Sequence, residues 1–203
     1  MPRSDRRAQL VRTAFALIAE RGLEGLRFGE IARAAGINNG TLLYYFANKE
    51  ALIQAVGAYL VEQYSESPWT GTDAPTSSGL CAEQLADPVS VLQHEFADAR
   101  DRLGDDLGVV YIELLARARR DPAVARLLRD IDANWRSYLI SVLERGRREG
   151  VFRADMDVDL VATTIMASIR GAGMQALVAG DAASAAPAMD ALADRIRAWI
   201  TLP

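Results

Sequence analysis

Apolar positions recur along this chain with the period of an α-helix, and no stretch sustains the alternation of a half-buried strand. Val11, Ala14, Phe15 and Ile18 form an i, i+3, i+4, i+7 stripe, with Ser4 placed to cap its start and Gly22 to end it. A second stripe at Phe28, Ile31, Ala32 and Ala35 stops at Gly36. A third, short segment from Asn39 to Phe46 carries Leu42, Tyr45 and Phe46 on one side. Asn48 can cap a longer helix through Leu52, Ile53, Val56 and Leu60. Residues 65–79, SESPWTGTDAPTSSG, read as a loop, expected to be mobile, between a head and a body. Asp87-Pro88 and Asp121-Pro122 each place an N-cap before a proline at the first helical position. They open helices over about 88–103 and about 122–149, with another over about 105–119 between them. The helix over 122–149 holds Val124, Leu127, Leu128, Ile131, Trp135, Tyr138, Leu139 and Val142 on one face, and Gly150 closes it. The expected fold is all-α.

Residues 160–178, LVATTIMASIRGAGMQALV, carry one charge, Arg170, and approach the length of a membrane span. Arg170, Gln175, two threonines and a serine lower its hydrophobicity, and an amphipathic segment over 187–201 follows. No membrane partner is therefore expected. A helix apolar on all sides is buried on several of them, either in a monomer's core or between that core and a second copy of the chain. The second arrangement is the expectation, with Ile165, Ile169, Ala172, Leu192, Ile196 and Trp199 at a homodimer interface. The small residues Ala167, Gly171, Ala172 and Gly173 would let helices approach closely.

Composition narrows the function. A chain of 203 residues that is half apolar can bury a substantial core without disulfide or metal staples. Cys81 stands alone and His94 is the one histidine, so neither an intramolecular disulfide nor a multi-histidine metal centre can form, and no cofactor is implied. The start, MPRSDRRAQL, lacks the apolar core of a signal peptide, so the cytoplasm is expected. Gly-rich phosphate loops, G-x-S-x-G and metal-spaced Cys/His pairs are missing, and no enzyme is read. The net charge of −4 hides a division. Residues 1–50 hold eight basic and five acidic side chains, while the other 153 hold fifteen and twenty-two. A small basic head precedes an acidic body.

Residues 26–52, LRFGEIARAAGINNGTLLYYFANKEAL, carry the functional signal. A helix ending at Gly36, followed within three residues by another short helix, has helix-turn-helix spacing. The second helix of such a unit enters the major groove with its N-terminal residues toward the bases. With Leu42, Tyr45 and Phe46 turned inward and Asn38 at the N-cap, residues Asn39, Gly40, Leu43 and Tyr44 point outward. Asparagine can pair bidentately with adenine, and leucine can meet a thymine methyl. Thr41 and the tyrosine hydroxyls suit phosphate oxygens, and Lys49 adds a cation beside the same backbone. The bland alternative is a helical subdomain whose aromatics fill a core, but two adjacent aromatics on a short helix cannot both point inward. Arg3, Arg6 and Arg7 form a basic arm, either solvated or touching DNA.

The run AAGINNGTLLYYFANKEAL resembles the DNA-binding signature of the tetracycline-repressor (TetR) family of bacterial transcription regulators. That signature has an Ala-Gly-aliphatic turn, a small polar cap, Gly-Thr-Leu-Tyr, an aromatic pair and Lys-Glu-Ala-Leu. The resemblance implies a helix-turn-helix domain over 1–50, a connecting helix over 49–65, and a ligand-binding and dimerisation bundle over 51–203. It implies DNA contacts by Asn39, Gly40, Thr41, Leu43, Tyr44 and Tyr45 and a phosphate contact by Lys49, with Asn38 at the cap among them. Tyr45 has a structural reading beside this one. Leu43 stands where tyrosine is common in the family, and Gly29 where a polar residue is usual. Arg27 replaces the usual threonine cap of the second helix and could reach a phosphate.

The family further implies a homodimer that binds a palindromic double-stranded operator as a repressor and is released by a small molecule. Candidates for ligand contact are His94, Tyr111, Glu113, Trp135, Tyr138 and Met166. Trp135 and Tyr138 also suit core packing, and His94 lies off its helix's apolar stripe. Cys81 is a possible redox sensor. The rival reading is a helical small-molecule carrier or interaction module without DNA binding.

Overall fold

The computed structural model describes residues 3–65 and 87–201. Cys81 and the Ser/Thr/Pro/Gly-rich stretch from residue 66 onward lie outside them. The described residues form α1 (Arg3–Arg21), α2 (Phe28–Ala34), α3 (Asn39–Tyr45), α4 (Lys49–Ser65), α5 (Pro88–Asp101), α6 (Asp106–Ala118), α7 (Pro122–Arg148), α8 (Val158–Ala179) and α9 (Ala186–Ile200). A single 3-10 turn, Ala182–Ser184, precedes α9. The fold is all-α, with no strand among the described residues beyond one isolated bridge joining Phe152 and Thr201.

Local chemistry sets most of the helix starts. Asn38 accepts the Thr41 N–H at 2.8 Å, and Asn48 accepts the Ala51 N–H at 2.8 Å. Asp87 accepts from Val89 and Ser90, and Asp121 from Ala123 and Val124. Ser4 is a correction: α1 already begins at Arg3, so Ser4 lies inside the first turn and its hydroxyl donates to Asp5. None of the described helices is long and apolar enough to cross a membrane.

The chain divides into two compact units, residues 1–64 with 109–131 and residues 65–108 with 132–203. In the first, α1 packs on α2 and α2 on α3. Leu10, Ile18, Ile31, Leu42, Phe46 and Leu52 fill its core together with Leu114 and Val124. Gly57 lies so close to Leu127 that an added Cβ would stand 2.8 Å from its Cδ1. In the second unit, α9 packs on α5 and α8 over a core that includes Phe96, Leu139, Phe152 and Ile165.

Gly146 packs hard against Phe152 in that second core. Gly150, at φ 71°, turns the chain back, so that the Val151 and Phe152 N–H groups both donate to the Gly146 carbonyl. The Phe152 ring then lies on the Gly146 Cα, and an added Cβ would sit 2.1 Å from ring carbon Cδ2. Gly146→Ala is expected to lower stability by about 1–3 kcal/mol or more through overpacking. A chemical denaturation midpoint equal to the wild type's would contradict this.

Candidate nucleic-acid interface

The turn between α2 and α3 shapes the head. Gly36 adopts φ 65°, and the Ile37 N–H reaches back to the Ala32 carbonyl at 2.9 Å, closing α2 in a Schellman motif. The chain then enters α3 through Asn38, extended at φ −92° and ψ 163°. Leu42 and the C-cap Phe46 anchor α3 in the core. The opposite side carries Leu43 and Tyr44, which are 51% and 64% exposed, with Asn39 and Gly40 exposed beside them. An exposed Leu-Tyr pair is poor solvent surface, whereas a groove with thymine methyls and phosphates would cover both.

The remaining residues divide by what they already do. The Asn38 carboxamide oxygen is engaged by the Thr41 N–H and by the Thr41 hydroxyl at 3.0 Å. Asn39, in contrast, makes no hydrogen bond through its amide among the described residues, and Gly29 leaves room beside it. A Cβ at position 29 would lie 4.0 Å from the Asn39 amide atoms, so the missing side chain keeps the Asn39 head unobstructed. Tyr45 is half-buried and meets Tyr44 edge-on at 5.3 Å. Arg27 is the extended, exposed N-cap of α2 and makes no side-chain capping bond. Lys49 is half-buried, its Nζ donating to the Leu23 carbonyl at 3.2 Å.

The arm lies against α3. The Arg3 guanidinium stands 4.8 Å from the centroid of the Tyr44 ring, and that of Arg7 5.0 Å from that of Phe46. Arg6 donates to Gln9 instead. Basic charge therefore gathers at the α3 end of the first unit.

The ligand candidates fall in separate units. Tyr111 and Glu113 belong to the first, where Tyr111 is buried edge-on to Tyr64 and Glu113 accepts the Leu23 N–H at 2.8 Å. Glu113 thereby clasps the turn after α1. His94, Trp135, Tyr138 and Met166 lie in the second unit. His94 is half-buried.

Glu95, which sequence reasoning missed, joins the second-unit group. It is 5% exposed and accepts the Trp135 indole N–H at 2.8 Å. Burial pushes its carboxyl up to about 8, against the lowering pull of the Trp135 bond, with Asp98 raising it and Arg102 lowering it further. Burial, reinforced by the Glu95 charge, also raises the Tyr138 phenol. A signal for it exists in the chain: Val91, Leu92, Glu95, Phe96 and Ala99 share one helical face, so Glu95 occupies a core register.

The dimer candidates divide by their burial within one chain. Ile165 and Ile196 are 0% and 3% exposed, and Ala172 is buried with them, so all three serve this chain's own core. Ile169 and Leu192 are partly buried against the same core, and Trp199 stays exposed. The apolar residues that α8 presents outward are Leu160, Met174 and Val178. With the exposed Ala167, they line the face opposite Ile165 and Ala172.

Residues 10–56 match the family described as bacterial regulatory proteins, tetR family. Residues 90–201 match the BetI-type transcriptional repressor, C-terminal. The HTH-type transcriptional repressor KstR2 of Mycobacterium tuberculosis is 29% identical over 164 residues, which span 78% of this chain and 74% of that protein. The HTH-type transcriptional regulator CymR of Pseudomonas putida is 25% identical over 177 residues, spanning 83% and 78%. A TetR transcriptional regulator from Chloroflexus aurantiacus superposes with a TM-score of 0.79 at 22% identity, covering 98% of each chain, a likeness of fold.

Proposed function

This chain belongs to the tetR family of bacterial regulatory proteins, and from that premise we propose that it is a cytoplasmic homodimeric repressor that reads a palindromic operator through α3 and is released by a small molecule. The observation that carries the reading is the outer face of α3, where Asn39, Leu43 and Tyr44 face solvent while Leu42 and Phe46 hold the helix from behind. Asn39 would read a base edge, Leu43 a thymine methyl, and Tyr44 and Arg27 phosphates. Asn38 would act chiefly by capping, with Thr41 as its partner. Gly40 would let the backbone approach the DNA. Lys49 would hold the Leu23 turn and direct its remaining donors to phosphate, and Tyr45 would support Tyr44.

The second copy would lie against the outward face of α8, at Leu160, Ala167, Met174 and Val178, with Trp199 at its edge. An apolar helix face bare in one chain is covered in an isologous dimer, and the small residues Ala167 and Gly171 permit close approach. Effector contact would lie in the second unit, at Glu95, Trp135 and Tyr138.

Selection of enriched sequences from random duplex DNA tests the reading. An enriched palindrome with half-sites about 34–36 Å apart, or a multiple of that, is expected. No enrichment from folded, dimeric protein would favour a carrier without DNA binding. On the selected operator, Asn39→Ala should weaken binding about 5–150-fold and relax preference at one position of each half-site. Arg3→Ala and Arg27→Ala should instead weaken all sequences alike and reduce the salt slope by about one unit for each phosphate that no longer meets a cation. Unaltered base preference in the Asn39 variant would remove that residue from base reading.

A further inference from the structure

Arginines are treated differently in the two units. In the second, Arg100, Arg102, Arg136, Arg147, Arg153 and Arg197 each pair with a carboxylate at 2.7–3.1 Å. In the first, the hairpin of α6 and α7 carries Arg119, Arg120, Arg126 and Arg129. All four are exposed, and none forms an ion pair among the described residues. Residues 117–130 hold five basic and two acidic side chains. One of those acids, the buried Asp121, is already engaged in capping α7 and pairing with Arg117.

The backbone holds these guanidinium groups on a fixed frame. The Arg120 and Asp121 N–H groups both donate to the Arg117 carbonyl, at 2.9 and 3.1 Å, which closes the turn. Val124 and Leu128 turn inward, leaving Arg126 and Arg129, three positions apart, on the outer side of α7. The hairpin is also tied to the reading head. Arg117 reaches Glu50, the residue after Lys49, at 3.5 Å. Glu113, one turn earlier, accepts the N–H of Leu23, and the carbonyl of the same Leu23 accepts from Lys49.

Resting on the reading that α3 enters the major groove, we propose that this hairpin is a second DNA surface. Arg119, Arg120, Arg126 and Arg129 meet phosphates of the duplex flanking the palindrome, binding by charge without reading bases.

Three physical points carry this. Four like charges within eleven residues repel one another, and a polyanion relieves that repulsion. The guanidinium fork matches phosphate geometry and is weakly hydrated, so its transfer from water to a phosphate is favourable. An acidic protein would meet the charge as well. A duplex held by α3 and Lys49, however, is brought beside the hairpin at high effective concentration, because Arg117 and Glu113 fix the hairpin to the start of α4. Flanking contacts of this kind add affinity uniformly, so they lengthen residence on an operator without changing which operator is chosen.

The full chain is titrated against two duplexes sharing the selected palindrome, one trimmed to it and one extended on each side by about one helical turn, about 10 bp. The longer duplex should bind about tenfold tighter, with a salt slope steeper by about two to four units, since each neutralised phosphate adds about 0.9 and a dimer presents two hairpins. Changing all four arginines to glutamine should abolish that gain, with the trimmed duplex still bound within about threefold, and lysine at the four positions should restore it. Arg119→Gln with Arg120→Gln, confined to the turn, should remove about half of the added slope, and it keeps the test decisive should four changes disturb α7. Arg148→Gln with Arg195→Gln, at exposed positions outside the hairpin, should leave the gain intact. The proposal is overturned if extension brings no gain, if the glutamine variant keeps it, or if that variant loses both duplexes equally. It is also overturned if the Arg148 and Arg195 changes erase the gain, which would mark a diffuse effect of net charge. Failure of α3 as the reading helix appears instead as no preference for the palindrome in the trimmed duplex, so the two readings can fail separately.

Discussion

Glu95→Gln should flatten a pH dependence of stability that the wild type displays between about pH 6 and about pH 8. The folded state holds the Glu95 carboxyl at about 8, against an ordinary value of 4.5, chiefly because burial disfavours the charge. Between those values the folded chain retains a proton that the unfolded chain has released. The protonated group's stabilisation is therefore complete below the ordinary carboxylate range and is lost as pH rises through about 8. The slope is about 1.4 kcal/mol per pH unit. For a chain of this size, that lowers the thermal midpoint by about 3–6 °C per unit. Glutamine keeps an acceptor for the Trp135 N–H and cannot ionise, so its midpoint should change little over the same interval. Parallel curves for the two proteins would mean that Glu95 does not titrate there. Burial also raises the Tyr138 phenol from an ordinary value already above this window, so it does not obscure it.

Leu43→Glu is expected to leave the protein folded and dimeric while removing its hold on DNA. Leu43 is 51% exposed on the outer side of α3, away from Leu42 and Phe46, so a carboxylate there meets water in the free protein. Against a groove walled by phosphates it meets like charge and loses its solvation. Such juxtaposition amounts to several kcal/mol at each half-site, which corresponds to more than about a hundredfold in affinity. The measurement is operator binding beside sedimentation and helical circular dichroism. A folded dimer that still binds within about threefold of wild type would place Leu43 outside the interface and remove α3 as the reading helix. A carrier without DNA binding has no reason to respond to this change.

Sequence reaches those features that are settled within one or two turns of helix. Asn38, Asn48, Asp87 and Asp121 cap because their side chains meet backbone N–H groups two or three residues ahead. The division of α3 into an inward Leu42 and an outward Leu43 and Tyr44 is equally local, fixed by helical period and by the impossibility of burying two adjacent rings. What escapes depends on distant partners. In α8 nearly every position is apolar or small, so period alone cannot tell core side from outer side. Burial of Ile165 and Ala172 rather than Leu160 and Met174 is decided by where α5, α7 and α9 lie. Glu95 stands in a core register, but only Trp135, forty residues on, makes a buried carboxyl tolerable there. Glu113 reads as a lone charge in an apolar run because its partner, the Leu23 N–H, lies ninety residues earlier.

That ninety-residue separation bears on how such regulators can be recombined. The first compact unit is discontinuous, its head completed by residues 109–131. Leu114, Val124 and Leu128 are buried in it, Leu127 abuts Gly57, and Glu113 fastens the turn after α1. A reading head excised at residue 64 for transplantation would carry its recognition helix but leave an unfilled apolar seam along α4 and an unclasped turn. A graft joined at that point therefore inherits operator preference only if the recipient supplies a matching helical hairpin. The safer unit of exchange keeps residues 109–131 with the head and places the new junctions within α6 and α7.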